Sequence, residues 1–114
     1  MMAFLMGVKS VSPADVHALV TRGAATVIDV NARTRWLAAR VPGARNLDHE
    51  AFVAGDLPAA KDAQIVFYCS NPMCRKAPIA ARRAKQMGCA NAVVMSAGIT
   101  GWVAAKLPVE SGLG

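Results

Sequence analysis

A short apolar run that ends at a cysteine constrains this chain more than any other feature. Residues 65–68 (Ile-Val-Phe-Tyr) are β-branched or aromatic, which is typical of a buried strand. Cys69 follows directly, then a compact loop, and then an alanine-rich segment whose apolar residues recur at three- and four-residue spacing, which predicts a helix. The sequence therefore predicts a strand, a loop and a helix, with a thiol at the carboxyl end of the strand.

The predicted position of Cys69 indicates reactivity. In open α/β sheets ligands bind outside the carboxyl ends of the strands. The N-terminus of the following helix presents free N–H groups, which favour an anion in the loop. A cysteine in this place is expected to be a stabilised thiolate and hence a nucleophile. The alternative is that Cys69 is a buried thiol at a strand end with no chemistry.

Strand and helix signals alternate along the rest of the chain. Further apolar runs predict strands at residues 8–11, 25–30, 45–47 and 92–95. Ser12 and Pro13 mark the start of a first helix, and Gly23 ends it. Other helices are predicted in residues 31–39, in 49–54 behind Asp48 as a cap, in 77–87, and from Ala97 onward. The order βαβαβαβαβα with short connections predicts an α/β fold, a parallel sheet with helices on both faces.

The length and charge of the chain limit the number of domains and the classes of partner that we expect. The 114 residues suit one domain, and 54% hydrophobic residues can build a core. The net charge is +6, but no aromatic residues are interleaved with the basic ones and no nucleic-acid motif occurs, so we expect no nucleic-acid partner. The charge indicates either a solvated basic surface or a field that draws small anions to the Cys69 loop. The basic residues concerned are Arg33, Arg35, Arg40, Arg45, Arg75, Lys76, Arg82, Arg83 and Lys85.

The N-terminus and the cysteines bear on location. Residues 1–7 are apolar but far shorter than the about 20 residues that span a bilayer, and they lack the leading charge and cleavage site of a signal peptide. We expect an ordered first turn or a frayed N-terminus there, and no membrane partner. Cys69, Cys74 and Cys89 are not spaced as a disulfide framework, so a reducing, cytoplasmic location is expected. No metal is expected, because no His or Cys pair has metal-binding spacing.

Four other residues with polar or thiol side chains are candidates for a functional role. Asp29 lies near the carboxyl end of its strand and should point toward the same edge as Cys69. His17 and His49 are expected to be surface histidines, and His49, two residues after a strand, is the better candidate of the two. Cys89 is expected to be a small buried residue.

Several segments, taken in order, resemble the rhodanese (sulfurtransferase-like) domain. They are residues 27–30 (Val-Ile-Asp-Val) before a helix, the turn 41–44 (Val-Pro-Gly-Ala), the strand that ends at Cys69, and Gly98 with Trp102 before residues 107–110 (Leu-Pro-Val-Glu). No single motif is decisive, but their order and spacing together are specific. The similarity runs from about Val11 to Glu110, nearly the whole chain.

The resemblance implies a five-stranded parallel sheet and a catalytic cysteine at Cys69. In that family the cysteine takes a sulfane sulfur from a donor such as thiosulfate, holds it as a persulfide, and passes it to a thiophilic acceptor such as cyanide or a thiol. No metal or organic cofactor is required. Asp29 would support the loop from the neighbouring strand. Loop N–H groups and the positive charge at the helix start would form a cup for the anion. The loop residues are Ser70, Asn71, Pro72, Met73, Cys74 and Arg75.

The chain departs from the usual rhodanese pattern at several positions. Asn31 stands where a charged Asp-Val-Arg segment often continues, and Ala39-Arg40 replaces the usual Gly-His. The usual loop glycine is missing, and Pro72 removes one N–H donor. A second cysteine, Cys74, lies in the loop. We expect it to pack against the helix start; the alternative is that it resolves a persulfide or sulfenate on Cys69 by forming a disulfide.

The length of the loop leaves three functions in competition. Cys69 to Arg75 counts seven positions, Cys-x5-Arg, one more than is usual for sulfurtransferases of this family. That count resembles dual-specificity phosphatases and arsenate reductases, in which the arginine clamps a tetrahedral oxyanion. The Cys-Ser-Asn-Pro-Met-Cys order looks more like a bacterial rhodanese-like subgroup with a second loop cysteine, so sulfur transfer leads. An oxyanion enzyme and a non-catalytic binding or sensing module are the alternatives.

Overall fold

The computed structural model describes residues 7–113. The prediction made for the first residues of the chain lies, apart from Gly7, outside this range. In this range short strands and helices alternate along the chain. None of the helices in residues 7–113 has both the length and the apolar composition that a membrane span requires. In chain order the elements are α1 (Pro13–Thr21), β1 (Thr26–Asp29), α2 (Arg33–Ala38), β2 (Arg45–Asn46), a 3₁₀ helix (Ala54–Asp56), β3 (Ile65–Tyr68), α3 (Lys76–Gln86), β4 (Ala92–Val94) and α4 (Gly98–Ala104).

The strands form one parallel sheet in the order β2-β1-β3-β4. In the register of the two central strands, Asp29 lies opposite Tyr68, so both strands end level at the same edge. The predicted α/β architecture is confirmed. The predicted strand count is not, because the sheet of the described residues has four strands rather than five. Residues 8–11 make a single parallel bridge, Ser10 to Val94, before Ser12 turns the chain into α1.

Helices cover both faces of the sheet, as predicted. Because alternate residues of a strand point to opposite faces, β3 contributes to two separate cores. Phe67 packs on one face with the small side chains of α3, which let that helix approach closely. Val66 and Tyr68 pack on the other face with Trp102 of α4, which is fully buried and donates from Nε1 to the Pro108 carbonyl oxygen at 2.8 Å.

Two capping predictions had different outcomes. Ser12 caps α1, and its Oγ accepts a hydrogen bond from the Asp15 N–H at 3.1 Å. The helix predicted in residues 49–54 is wrong. The Asp48 carboxylate instead accepts from the Glu50 N–H at 2.9 Å, two residues on, which closes an Asx-turn. A short 3₁₀ helix follows it.

Arg40 is a structural residue that the sequence did not reveal. The sequence predicts a basic residue of the surface at this position, but Arg40 is 3% exposed. Its Nη1 donates to the carbonyl oxygens of Trp36 at 3.2 Å and Gly112 at 2.8 Å, and its guanidinium lies 4.0 Å from the centre of the Trp36 ring. A backbone bridge to Glu110 adds to these contacts. Arg40 therefore ties the C-terminal segment to the domain and contributes nothing to an exposed basic surface.

Candidate functional site at the Cys69 loop

Cys69 lies at the carboxyl end of β3, where the sequence predicted it. Its side chain is buried, with 3% exposure. Its carbonyl oxygen accepts from the Ile99 N–H at 2.9 Å, and the carbonyl oxygen of Ser70 accepts from the Thr100 N–H at 3.0 Å. The first turn of α4 therefore holds the start of the loop through its backbone.

Gly98 makes this contact between helix and loop possible. Its φ of +66° lies in the left-handed region that favours glycine. A Cβ at this position would lie 2.5 Å from the carbonyl carbon of Ser70 and 2.7 Å from the Asn71 nitrogen. In the sequence, Gly98 contributes only to the C-terminal pattern that resembles the rhodanese domain. The structure shows that a side chain at this position would collide with the loop backbone.

Asn31 holds the loop from the other side, and sequence reasoning missed this role. Its Oδ1 accepts a 2.8 Å hydrogen bond from Ser70 Oγ, which also accepts a long 3.4 Å hydrogen bond from Arg35 Nη1. Asn31 is itself fixed, since its carbonyl oxygen accepts from Asn46 Nδ2 at 2.9 Å. The available signal was its position two residues after β1, at the sheet edge that also carries Cys69.

The loop supplies fewer anion-binding N–H groups than expected. The Cys74 N–H donates to the Asn71 carbonyl oxygen at 3.1 Å, and the Met73 N–H donates to Asn71 Oδ1 at 2.9 Å. Pro72 has no N–H. The first turn of α3 also contains Pro78, which removes another donor. The expected cup is therefore incomplete on its Pro72-to-Cys74 side.

Cys74 is bonded to Cys69 rather than merely packed against the helix start. The structure joins the two sulfur atoms in a disulfide across the loop. Their Cα atoms lie 6.4 Å apart, inside the range of about 4.4 to 6.8 Å that disulfides span. The packing expected for Cys74 is thus corrected. The bond also departs from the expectation that the cysteines are not arranged for a disulfide. Cys89 is buried and free, as expected.

The surroundings of the two sulfur atoms are narrow. The cavity beside them has a volume of about 10 Å³, enough for a single water molecule. Arg75 and Lys76 are exposed at the start of α3, where they add positive charge to the surface beside the Cys69 loop. Lys76 and Arg33 also line a wider depression of about 410 Å³ next to Asn31.

Neither histidine lies against the cysteines. His49 lines the wider depression, and its Nε2 lies 3.2 Å from the Glu50 carboxylate. His17 packs edge-on against Trp102, with ring centres 5.9 Å apart, within the helical layer formed by α1 and α4. The site therefore relies on backbone groups and basic side chains rather than on an imidazole next to Cys69.

Asp29 is fully buried at the end of β1. Its Oδ1 accepts from the Asn31 N–H at 2.8 Å, so the route from Asp29 to the loop runs through Asn31 and Ser70. Burial raises the pKa of Asp29 above its usual 3.8, against the smaller opposing effects of the Tyr68 hydroxyl, Asn31 and Arg40. Burial and the neighbouring Asp29 in turn raise the pKa of Tyr68, whose hydroxyl oxygen accepts from the Val41 N–H at 3.1 Å.

Asp29→Asn is expected to weaken the pH dependence of stability. The pKa of Asp29 is raised in the native state. In the pH interval between its usual value of 3.8 and this raised value, the native state therefore binds more protons than the unfolded state. The free energy of unfolding of the wild type should therefore fall over this interval, and the amide, which keeps an oxygen for the Asn31 N–H, should remove that fall. Urea midpoints between about pH 4 and pH 7 measure the effect.

The exposed Asp62→Asn variant is the matched control for this measurement and should keep the pH dependence of the wild type. Equal pH dependence in wild type and Asp29→Asn would contradict the assignment.

Comparison with known proteins agrees with this geometry. The family model described as "Rhodanese-like domain" matches residues 12–105. The chain belongs to the rhodanese-like family. The parallel sheet, the cysteine at the end of β3 and the helix behind it are thus features of a rhodanese-like domain. A search of curated protein sequences found no match.

Solved structures share the fold at low sequence identity. A Bacillus halodurans protein is 24% identical with a TM-score of 0.83, over 94% of this chain and 80% of that one. A human single-domain sulfurtransferase is 20% identical with a TM-score of 0.71, over 83% and 95%. A Rhodopseudomonas palustris protein described as a "Possible Tyrosine Phosphatase" is 24% identical with a TM-score of 0.76, over 96% and 91%. At these identities the likeness shows the fold alone.

Proposed function

We propose that this rhodanese-like domain is a sulfurtransferase that moves a sulfane sulfur from a donor such as thiosulfate through a persulfide on Cys69. The observation that carries the proposal is the position of Cys69, at the carboxyl end of a central parallel strand and at the start of the loop that leads to Arg75 and to Lys76, the first residue of α3. A thiolate there gains from the helix dipole and from both cations. The family membership and the human sulfurtransferase neighbour support the same reading.

The chemistry is an exchange of sulfur–sulfur bonds. The reduced Cys69 thiolate attacks the outer sulfur of thiosulfate, a new bond forms between the two sulfur atoms, and sulfite leaves with the electron pair of the broken bond. A thiolate or cyanide acceptor then attacks the outer sulfur, and Cys69 leaves as a thiolate. Neither step needs a metal or an organic cofactor. The Cys69–Cys74 disulfide must be reduced before the Cys69 thiolate can attack, so we place the reaction in a reducing compartment such as the cytoplasm.

Release of sulfite tests the proposal, because it reports the first transfer whatever becomes of the sulfur afterward. Protein that has been reduced and supplied with thiosulfate and a thiol acceptor should form sulfite through many turnovers. The Cys89→Ser variant should match the wild type, since Cys89 is buried away from the loop. Sulfite at the rate of a protein-free blank would refute the proposed activity.

An oxyanion enzyme is the second candidate, and one observation favours it. Arg75 is the sixth residue after Cys69, in the Cys-x5-Arg arrangement, and is exposed at the start of α3. The Rhodopseudomonas palustris neighbour is described in terms of the same chemistry. The depleted loop donors weigh against it, because a tetrahedral oxyanion needs several N–H groups around it.

Arg75→Ala separates the two candidates. For a sulfurtransferase we expect no turnover of an aryl phosphate or of arsenate by the wild type, and a modest loss of sulfite release in Arg75→Ala, about two- to fivefold. Phosphate or arsenate turnover by the wild type that is lost in Arg75→Ala would instead establish the second candidate. Absence of all three activities would favour a non-catalytic binding module.

A further inference from the structure

The disulfide across the loop gives Cys74 a place in the reaction. We propose that Cys74 discharges the Cys69 persulfide within the same chain, so that the domain releases the transferred sulfur as hydrosulfide and ends each cycle as the Cys69–Cys74 disulfide. The inference rests on the proposed sulfur transfer to Cys69 and adds a further activity, the reduction of sulfane sulfur to sulfide at the expense of a dithiol.

The loop is built to present Cys74 to Cys69. The Asn71 carbonyl oxygen accepts from the Cys74 N–H, and Asn71 Oδ1 accepts from the Met73 N–H, so the chain folds back over four residues. The root of the loop is fixed by α4 through the backbone hydrogen bonds of Cys69 and Ser70. Cys74 is thereby held within bonding distance of Cys69 by contacts that do not involve either sulfur atom.

The same folding reduces the means of stabilising a persulfide anion. The N–H groups of Met73 and Cys74 are used inside the loop, and Pro72 and Pro78 have none. A persulfide on Cys69 therefore has fewer N–H groups available to stabilise its negative charge. The thiol of Cys74 lies beside it. A nucleophile fixed next to its target reacts at a far higher effective concentration than one in solution.

The step balances in atoms and electrons. The Cys74 thiolate attacks Sγ of Cys69, the new Sγ–Sγ bond forms, and the bond from Cys69 Sγ to the outer sulfur breaks. Hydrosulfide leaves with that electron pair, and the proton lost by Cys74 passes to the departing sulfur. The sulfane sulfur is reduced to sulfide, and the two cysteines are oxidised to the disulfide.

A dithiol reductant must then reopen the disulfide, and the structure indicates which sulfur it attacks. Cys69 is 3% exposed and the adjoining cavity holds about 10 Å³, whereas Cys74 is half-buried between exposed loop residues. Attack by a thiol at Cys74 forms a mixed disulfide with Cys74 and expels Cys69 as the thiolate. The second thiol of the reductant then attacks the reductant sulfur that is bonded to Cys74. The reductant closes its own disulfide, and Cys74 leaves as the thiolate.

A single-turnover experiment tests the inference. The protein is reduced, freed of reductant and mixed with thiosulfate. The wild type and Cys89→Ser should each release one sulfite and one hydrosulfide per chain and gain no sulfur, with both loop cysteines closed to alkylation. Cys74→Ser should release one sulfite, gain the mass of one sulfur atom, and form hydrosulfide at least about tenfold more slowly.

The outcomes separate the two proposals. If wild type and Cys74→Ser both keep the added sulfur and release no hydrosulfide, the role of Cys74 is refuted while sulfur transfer stands. If neither protein releases sulfite, both proposals fail. Uptake of sulfur by Cys74→Ser also shows that this variant is folded, so slow hydrosulfide release in it cannot be attributed to unfolding.

Discussion

Cys69→Ser is expected to lower sulfite release from thiosulfate by about a thousandfold or more. The hydroxyl of serine ionises far less readily than a thiol, whose ordinary pKa is about 8.5, and it cannot form a persulfide. No thiol outside the loop can replace Cys69, since Cys89 is buried just after the C-terminus of α3, with its N–H donating to the Ala84 carbonyl oxygen at 3.0 Å. Cys74 lies in the loop rather than at the carboxyl end of β3, so it does not occupy the position of Cys69. Steady-state sulfite formation under reducing conditions is the measurement.

Cys89→Ser is the matched control for this loss, because it removes a thiol of the same chain without touching the loop. A thermal melt of Cys69→Ser should show that the domain remains folded. Sulfite release by Cys69→Ser within about tenfold of the wild type would show that another group is the nucleophile.

Gly98→Ala is expected to destabilise the domain by about 3 kcal/mol and to reduce sulfur transfer together with stability. An L side chain at φ +66° costs roughly 1–2 kcal/mol by itself. The added Cβ also lies 2.5 Å from the Ser70 carbonyl carbon, which belongs to backbone and cannot rotate away. The loop must move, and the hydrogen bonds from Ile99 and Thr100 to the loop must lengthen. Urea unfolding and sulfite release measure the two effects.

Gly23→Ala separates backbone strain from the collision. Gly23 has a nearly equal φ of +64°, but a Cβ there has no heavy atom within 4 Å. It should cost roughly 1–2 kcal/mol and leave sulfite release at the wild-type rate. Equal losses of stability in the two variants, with transfer intact in both, would contradict a specific contact between Gly98 and the loop.

The strand that ends at Cys69 and the alternation of elements could be predicted from the sequence, because both depend on local patterns. Residues 65–68 are apolar without interruption since β3 is buried on both faces. The fifth strand could not be predicted correctly. Whether residues 8–11 pair over one bridge or several depends on how the chain enters α1, which is a tertiary contact rather than a local pattern.

The parts of the site that sequence reasoning missed are long-range contacts. Asn31 and Ser70 are distant in the chain and meet only because β1 and β3 end level. The buried place of Arg40 likewise depends on the return of the C-terminal segment. The free N–H groups of the loop were overestimated because the Asn71 side chain, which satisfies one of them, has no fixed direction in a sequence.

Locating the sulfur taken from thiosulfate tests the central claim most directly. In Cys74→Ser the persulfide should persist, so tryptic peptides can be analysed after exposure to thiosulfate under non-reducing conditions. Cys69 lies in the peptide 62–75 and Cys89 in the peptide 86–106. The mass of one additional sulfur atom should be found on the peptide 62–75 and not on 86–106. Added sulfur on the Cys89 peptide, or on neither, would contradict Cys69 as the carrier of the sulfane sulfur.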